Sequence, residues 1–136
     1  SITAFYTVLV AGDDMNEPVA DTVRSILDGH IVLSRRLASS GHYPAVDVLE
    51  SVSRVMTAVT TPEHRRSASK MLEMMATYRE AEDLINIGAY VKGSNPKIDE
   101  ALKMREILRA FLRQQSDEHE GLETSIRILV EMMSVK

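Results

Sequence analysis

The hydrophobic rhythm of the chain changes near Thr61. Before it, apolar residues come in short β-branched clusters; after it, they recur at three- and four-residue spacing. Ile2, Phe5, Tyr6, Val8, Leu9 and Val10 make the first ten residues read as a buried strand. An acidic loop punctuated by Gly12 and Pro18 follows. Pro18 to Ile26 predicts a short helix, with proline in the first turn where its missing N–H costs nothing. Asp28-Gly29 is a turn signal, and His30-Ile31-Val32-Leu33 reads as a second strand. Arg35 to Ser39 predicts one or two helical turns ended by Gly41. Strands alternating with short helices predict the edge of a parallel α/β sheet. Two strands cannot make that sheet alone. With Ser1 in place of an initiator Met, the pattern reads as a piece cut from a longer protein.

Beyond Thr61 the 3.6-residue period dominates. Thr61-Pro62-Glu63 combines an N-cap, a proline at the first helical position and an acid favoured by the helix dipole. Met71, Leu72, Met75, Tyr78, Ala81, Leu84 and Ile85 then mark one face of a long helix reaching about Tyr90. Lys92-Gly93-Ser94-Asn95-Pro96 breaks it. A second helix is predicted over 96–115, with Ile98, Leu102, Ile107, Leu108, Phe111 and Leu112 as its apolar positions. A third is predicted over 118–133 through Leu122, Ile126, Leu129, Val130 and Met133, with Gly121 weakening its start. Short loops between them predict a small antiparallel bundle. The eight methionines fall mostly on these helices, where they either fill the core or form an adaptable binding surface.

Composition narrows the classes. An apolar content of 44% over 136 residues suffices for a core. The absence of cysteine excludes disulfides and thiolate zinc sites. A net charge of −4 argues against nucleic acid as the main partner. Apolar runs fall well short of a membrane span, and no cleavable signal is visible.

Candidate chemistry is sparse. His30, His42, His64 and His119 lack metal-ligand spacing, and His119 sits in a charge run that reads as a solvated face. There is no nucleophile elbow and no glycine-rich phosphate loop. The stretch from His42 to Met56 stands out because it sets Tyr43 and Arg54 a short distance apart, on a Pro44-stiffened loop leading into an apolar run. A flat ring there can stack a planar ligand, and a guanidinium can grip phosphate oxygens without ever deprotonating. The residues leave a plainer reading open, in which Tyr43 packs locally and Arg54 makes a surface ion pair.

Several motifs carry a resemblance. Gly12-Asp13-Asp14-Met15-Asn16-Glu17-Pro18, Asp28-Gly29-His30-Ile31-Val32-Leu33-Ser34-Arg35, Tyr43-Pro44-Ala45-Val46-Asp47 and Ser53-Arg54-Val55 resemble the flagellar and type III secretion export ATPases, relatives of the catalytic subunit of rotary ATP synthases. Tyr78-Arg79-Glu80-Ala81-Glu82-Asp83-Leu84-Ile85-Asn86-Ile87-Gly88-Ala89-Tyr90 and Phe111-Leu112-Arg113-Gln114 continue it in the helical half, with wording that favours the flagellar branch.

The resemblance implies an α/β plus α fold. Residues 1–61 would be the C-terminal part of a RecA-like P-loop NTPase domain and 62–136 a helical C-terminal domain. It implies a cytoplasmic bacterial homo-hexamer, using ATP and Mg2+, peripherally attached to the inner-membrane export apparatus. Its partners would be central-stalk and peripheral-stalk proteins, chaperone–substrate complexes and the membrane export gate. The family's phosphate loop, catalytic carboxylate and magnesium-supporting Asp would lie upstream, so the chain alone is not expected to hydrolyse ATP.

Position by position, Arg54 matches the arginine finger that reaches the γ-phosphate on a neighbouring subunit. Tyr43 matches the aromatic that stacks on the chain's own adenine. Phe111 resembles a second wall of the adenine pocket, or is a plain core residue at helical spacing. Asp13, Asp14, Asn16 and Glu17 match the loop facing the central stalk, or form a solvated turn. The alternatives are a non-catalytic helical module that binds stalk or chaperone, and a subunit of a rotary ATP synthase.

Overall fold

A computed structural model describes residues 2–134. Its elements are a 3-10 turn at Ala11–Asp13, α1 (Pro18–Ile26), β1 (Gly29–Leu33), α2 (Arg35–Ser39), β2 (Val46–Ser53), α3 (Met56–Val59), α4 (Pro62–Asn86), α5 (Pro96–Leu112) and α6 (Leu122–Ser134).

The helices begin and end where local chemistry directs. Thr61 Oγ1 accepts from His64 N at 3.2 Å and caps α4, with Pro62 at its first position. Asn95 caps α5 in the same manner, accepting from Lys97 N at 3.0 Å. Such caps stabilise a helix by about 1 kcal/mol each. Helix α4 stops at Asn86 rather than reaching Tyr90, because Gly88 takes a left-handed φ of 71° and Ala89 N and Tyr90 N fold back on Leu84 O. Asp99 then stitches the α4–α5 connection, accepting from Tyr90 Oη at 3.0 Å and Gly93 N at 2.9 Å. Helix α5 ends at Leu112, and α6 begins at Leu122, later than the periodicity predicts. Ser125 N bonds Gly121 O, so the glycine precedes α6 instead of lying within it.

Helix α4 packs against both α5 and α6. Ala68, Met71, Met74, Leu108, Leu129 and Met133 form the core, with Met56, Met75, Met104, Phe111, Leu112 and Met132 packed around it. Every methionine except Met15 is therefore in or against this core, which decides for core filling over an adaptable surface.

Two expectations for the N-terminal half are corrected. The sheet is antiparallel, with only β1 and β2 paired among the described residues. A parallel return needs a crossover long enough to run back along a strand. The five-residue α2 rises only about 7.5 Å and serves as a turn instead. The strand expected over the first ten residues is absent from the nine described: 2–10 join no ladder, and Phe5 is 94% exposed. β-propensity becomes a strand only where a partner supplies hydrogen bonds.

Candidate functional site: the two ends of β2

Tyr43 and Arg54 flank β2. The segment between them is not the loop that Pro44 suggested but an eight-residue strand, about 26 Å long at full extension. Val46 and Val52 pair with β1, and this pairing converts the apolar run into a strand.

At the upstream end, α2 closes on Gly41, which has a left-handed φ of 70°. His42 N donates to Leu37 O at 3.0 Å, and the His42 ring is buried. Burial first, then the charges of Arg109 and Arg113, hold its pKa below the usual histidine value. The next side chain, Tyr43, is 57% exposed. The end of α5 comes to meet this turn: Arg113 Nη2 donates to Gly41 O and Gln114 N to Tyr43 O, both at 2.9 Å. Phe111, on the last turn of α5, is partly buried against the core. The backbone bond from Gln114, three residues past Phe111, thus ties the end of α5 to Tyr43.

At the downstream end Arg54 is exposed, and its backbone N donates to Asp28 O at 2.8 Å. Its guanidinium Nη2 reaches Arg24 O at 3.2 Å, and no carboxylate among the described residues pairs with it. The plain surface ion pair is therefore not what the structure contains. The two ends of the strand are different chemical environments, one aromatic and one cationic.

Two acids in the 13–17 loop are used locally. Asp13, at a positive φ of 59°, pairs with Arg35 at 3.4 Å. Asp14 Oδ1 accepts from Asn16 N at 3.0 Å, and Glu17 leads into α1 without a side-chain cap bond. The four residues do lie on one short turn ahead of α1, with Asn16 exposed and Glu17 half-buried.

Sequence reasoning missed Arg79. From α4 its Nη2 donates to Asp47 Oδ1 at 2.7 Å and its Nη1 to Glu50 Oε1 at 3.0 Å. Asp47 is buried, and its Oδ1 also accepts from Leu49 N at 3.1 Å and Glu50 N at 3.3 Å. A buried carboxylate on a strand implies some cationic partner. The sequence alone does not say which of sixteen basic residues supplies it.

Comparison with known proteins identifies the architecture. Residues 60–131 match the model of the T3SS EscN ATPase C-terminal domain, and 1–53 match the ATP synthase alpha/beta family, nucleotide-binding domain. The chain belongs to the type III secretion ATPase family. It is 58% identical over 132 residues to the flagellum-specific ATP synthase of Bacillus subtilis, covering 97% of this chain and 30% of that protein. The assembled ATPase EscN of the enteropathogenic E. coli type III secretion system is 46% identical. It superposes with a TM-score of 0.91 over 98% of this chain and 32% of EscN. EscN in complex with its central stalk EscO matches with a TM-score of 0.79 at 44% identity, over 86% of this chain and 29% of that one. The chain thus spans about a third of the length of the relatives it matches. These likenesses bear out the predicted fold class: the C-terminal part of a P-loop ATPase fold joined to a small helical bundle. No helix among the described residues is long and apolar enough to cross a membrane.

Proposed function

We propose that this chain is the C-terminal part of an ATPase that couples ATP hydrolysis to flagellar or type III protein export. Residues 1–61 complete a RecA-like nucleotide-binding domain, and 62–136 form its helical C-terminal domain. The observation that carries this reading is the superposition on assembled EscN across 98% of the chain.

In this reading the ring is a homo-hexamer and each chain contributes to two nucleotides. Tyr43, with Phe111 as a second wall, receives the adenine of the chain's own ATP. Arg54 reaches the γ-phosphate held by the neighbour. The exposure of both Tyr43 and Arg54 and the strand between them support that division. Bound ATP supplies the transferable phosphoryl group, and a fixed guanidinium stabilises the charge that spreads over its oxygens during transfer. In this reading the main Mg2+ ligands belong to the part of the full-length protein that lies upstream of this chain.

The loop carrying Asp13, Asp14, Asn16 and Glu17 faces the central stalk in this arrangement. Asp13 and Asp14 are partly engaged already, so its attraction for a basic stalk is weaker than a count of acids implies. The reading also includes peripheral-stalk, chaperone–substrate and export-gate partners, and a cytoplasmic site at the inner membrane.

A second reading, a helical module acting by contact alone, is favoured by one observation: Leu84, Ile87 and Val91 stand exposed at the α4–α5 connection. The two are separated by Arg54→Ala in the full-length protein. Loss of an arginine finger lowers kcat by about 10³- to 10⁵-fold. Near-wild-type turnover with normal assembly would sink the finger assignment and leave the contact reading standing.

A further inference from the structure

The residues at the two ends of β2 have different hydrogen-bond partners. The β1–β2 ladder has two blocks, Gly29↔Ser53 with His30↔Val52, and Val32↔Asp47 with Leu33↔Val46. The register slips between His30 and Val32, so residues 48–51 of β2 stand against Ile31 alone. Ser51 Oγ fills the break, accepting from Val32 N at 3.0 Å and donating to Asp47 O at 2.6 Å. An irregularity of this kind interrupts the ladder and bends the strand.

Upstream of the break and within it, every described hydrogen bond to a part of the chain beyond β1 and α2 runs to the helical half. Arg79 holds Asp47 and Glu50, Arg113 holds Gly41, and Gln114 holds Tyr43. Downstream, Arg54 is held by Asp28 and Arg24, next to β1 and in α1. No described hydrogen bond joins the Arg54 side chain itself to α4, α5 or α6, whereas Met56, two residues on, packs against the helical core and Arg65 of α4 donates to Thr57 O and Thr60 O.

We propose that Arg79 is a positioning residue that couples Tyr43 to the helical half. The inference rests on the nucleotide-binding reading above. Its geometry is that of a clamp. One planar guanidinium spans two carboxylates of the same strand, and Asp47 is itself fixed by two backbone N–H groups, so a shift of α4 is passed to the strand with little slack. Displacement of α4 is then passed to the adenine end through the Asp47 and Glu50 carboxylates. Arg79 accordingly sets nucleotide affinity and not the rate of the chemical step.

The test uses the full-length protein, with steady-state ATPase kinetics and binding of the fluorescent probe mant-ADP. Arg79→Ala should raise both the KM for ATP and the mant-ADP Kd about five- to tenfold, with kcat held within about twofold, because uniform binding is lost while transition-state contacts remain. Arg79→Lys keeps the charge but cannot span both carboxylates and should fall between. Should the alanine variant fold poorly, Glu50→Gln, which weakens only the exposed arm, should raise KM in the same direction by less. A fall in kcat with KM and Kd unchanged would overturn the proposal, as would wild-type constants in all three variants. A wild-type protein that binds no mant-ADP would instead overturn the nucleotide reading, and this proposal with it.

Discussion

Gly29→Ala probes the support of Arg54 directly. Gly29 opens β1 opposite Ser53, next to Asp28, whose carbonyl receives the Arg54 N–H at 2.8 Å. A Cβ placed at Gly29 would stand 2.7 Å from Val52 O and 3.4 Å from Ser53 Cα. Ordinary contact begins near 3.4 Å, so the shortfall against the carbonyl is about 0.7 Å. Both obstacles are backbone and cannot rotate away. The end of the ladder must therefore open by a comparable amount, at a cost of about 1–3 kcal/mol by analogy with overpacked cores. The displaced residues adjoin Arg54. A misplacement of about 1 Å costs roughly a hundredfold in rate, so a tenfold or greater fall in kcat is expected at saturating ATP. The KM should change little, because Tyr43 lies on the other side of the register break. The assay pairs a thermal-shift Tm with steady-state kinetics on full-length protein. Wild-type Tm and kcat together would refute the reasoning, since they would mean that the β1–β2 end tolerates a methyl group without moving.

Other perturbations read different parts of the structure. Because burial and the Arg109 and Arg113 charges hold the His42 pKa below 6.5, the unfolded chain takes up a proton first on acidification. Its stabilising contribution is full above about pH 6.5 and declines as pH falls through that value towards the lower folded pKa. His42→Gln should flatten Tm against pH in that window, and an unaltered slope would assign the effect elsewhere. Leu129→Ala, at a site only 5% exposed between α4 and α6, should cost about 2–5 kcal/mol, read as a lowered Tm. A loss below about 1 kcal/mol would mean that this part of the bundle collapses onto the cavity.

The helical half was legible because its signals are local. Thr61-Pro62 and Asn95-Pro96 set two helix starts, Gly88 and Gly93 punctuate the connection, and the apolar period marks the packed face. Even there, contact corrected detail. Leu84 and Ile107 sit at predicted apolar positions yet are half exposed, while Ala68 and Met74 carry more of the core. In the first half, α1, β1 and α2 were readable from turn residues, and β2 was not. Its alternating Val46, Val48 and Ser51-Val52 offered a strand signal, but Pro44 drew attention to a loop. Tyr43 and Arg54 were found as chemically suited residues. That they sit in separate environments depends on bonds from Gln114, Arg79, Asp28 and Arg24, each far away along the chain.

The sequence by itself determined what nearest neighbours control: helix starts and stops, the methionine-rich packing stripe, and an aromatic and a cation eleven positions apart. Tertiary structure decided what depends on distant partners. It made the sheet antiparallel, left residues 2–10 outside any ladder, and broke the β2 register between the two candidate half-sites. The physical reason is that a helix satisfies its backbone within its own segment, whereas a strand acquires its hydrogen bonds, direction and register from another stretch of chain. The clamp from Arg79 to Asp47 spans 32 positions, and only folding brings its two ends together.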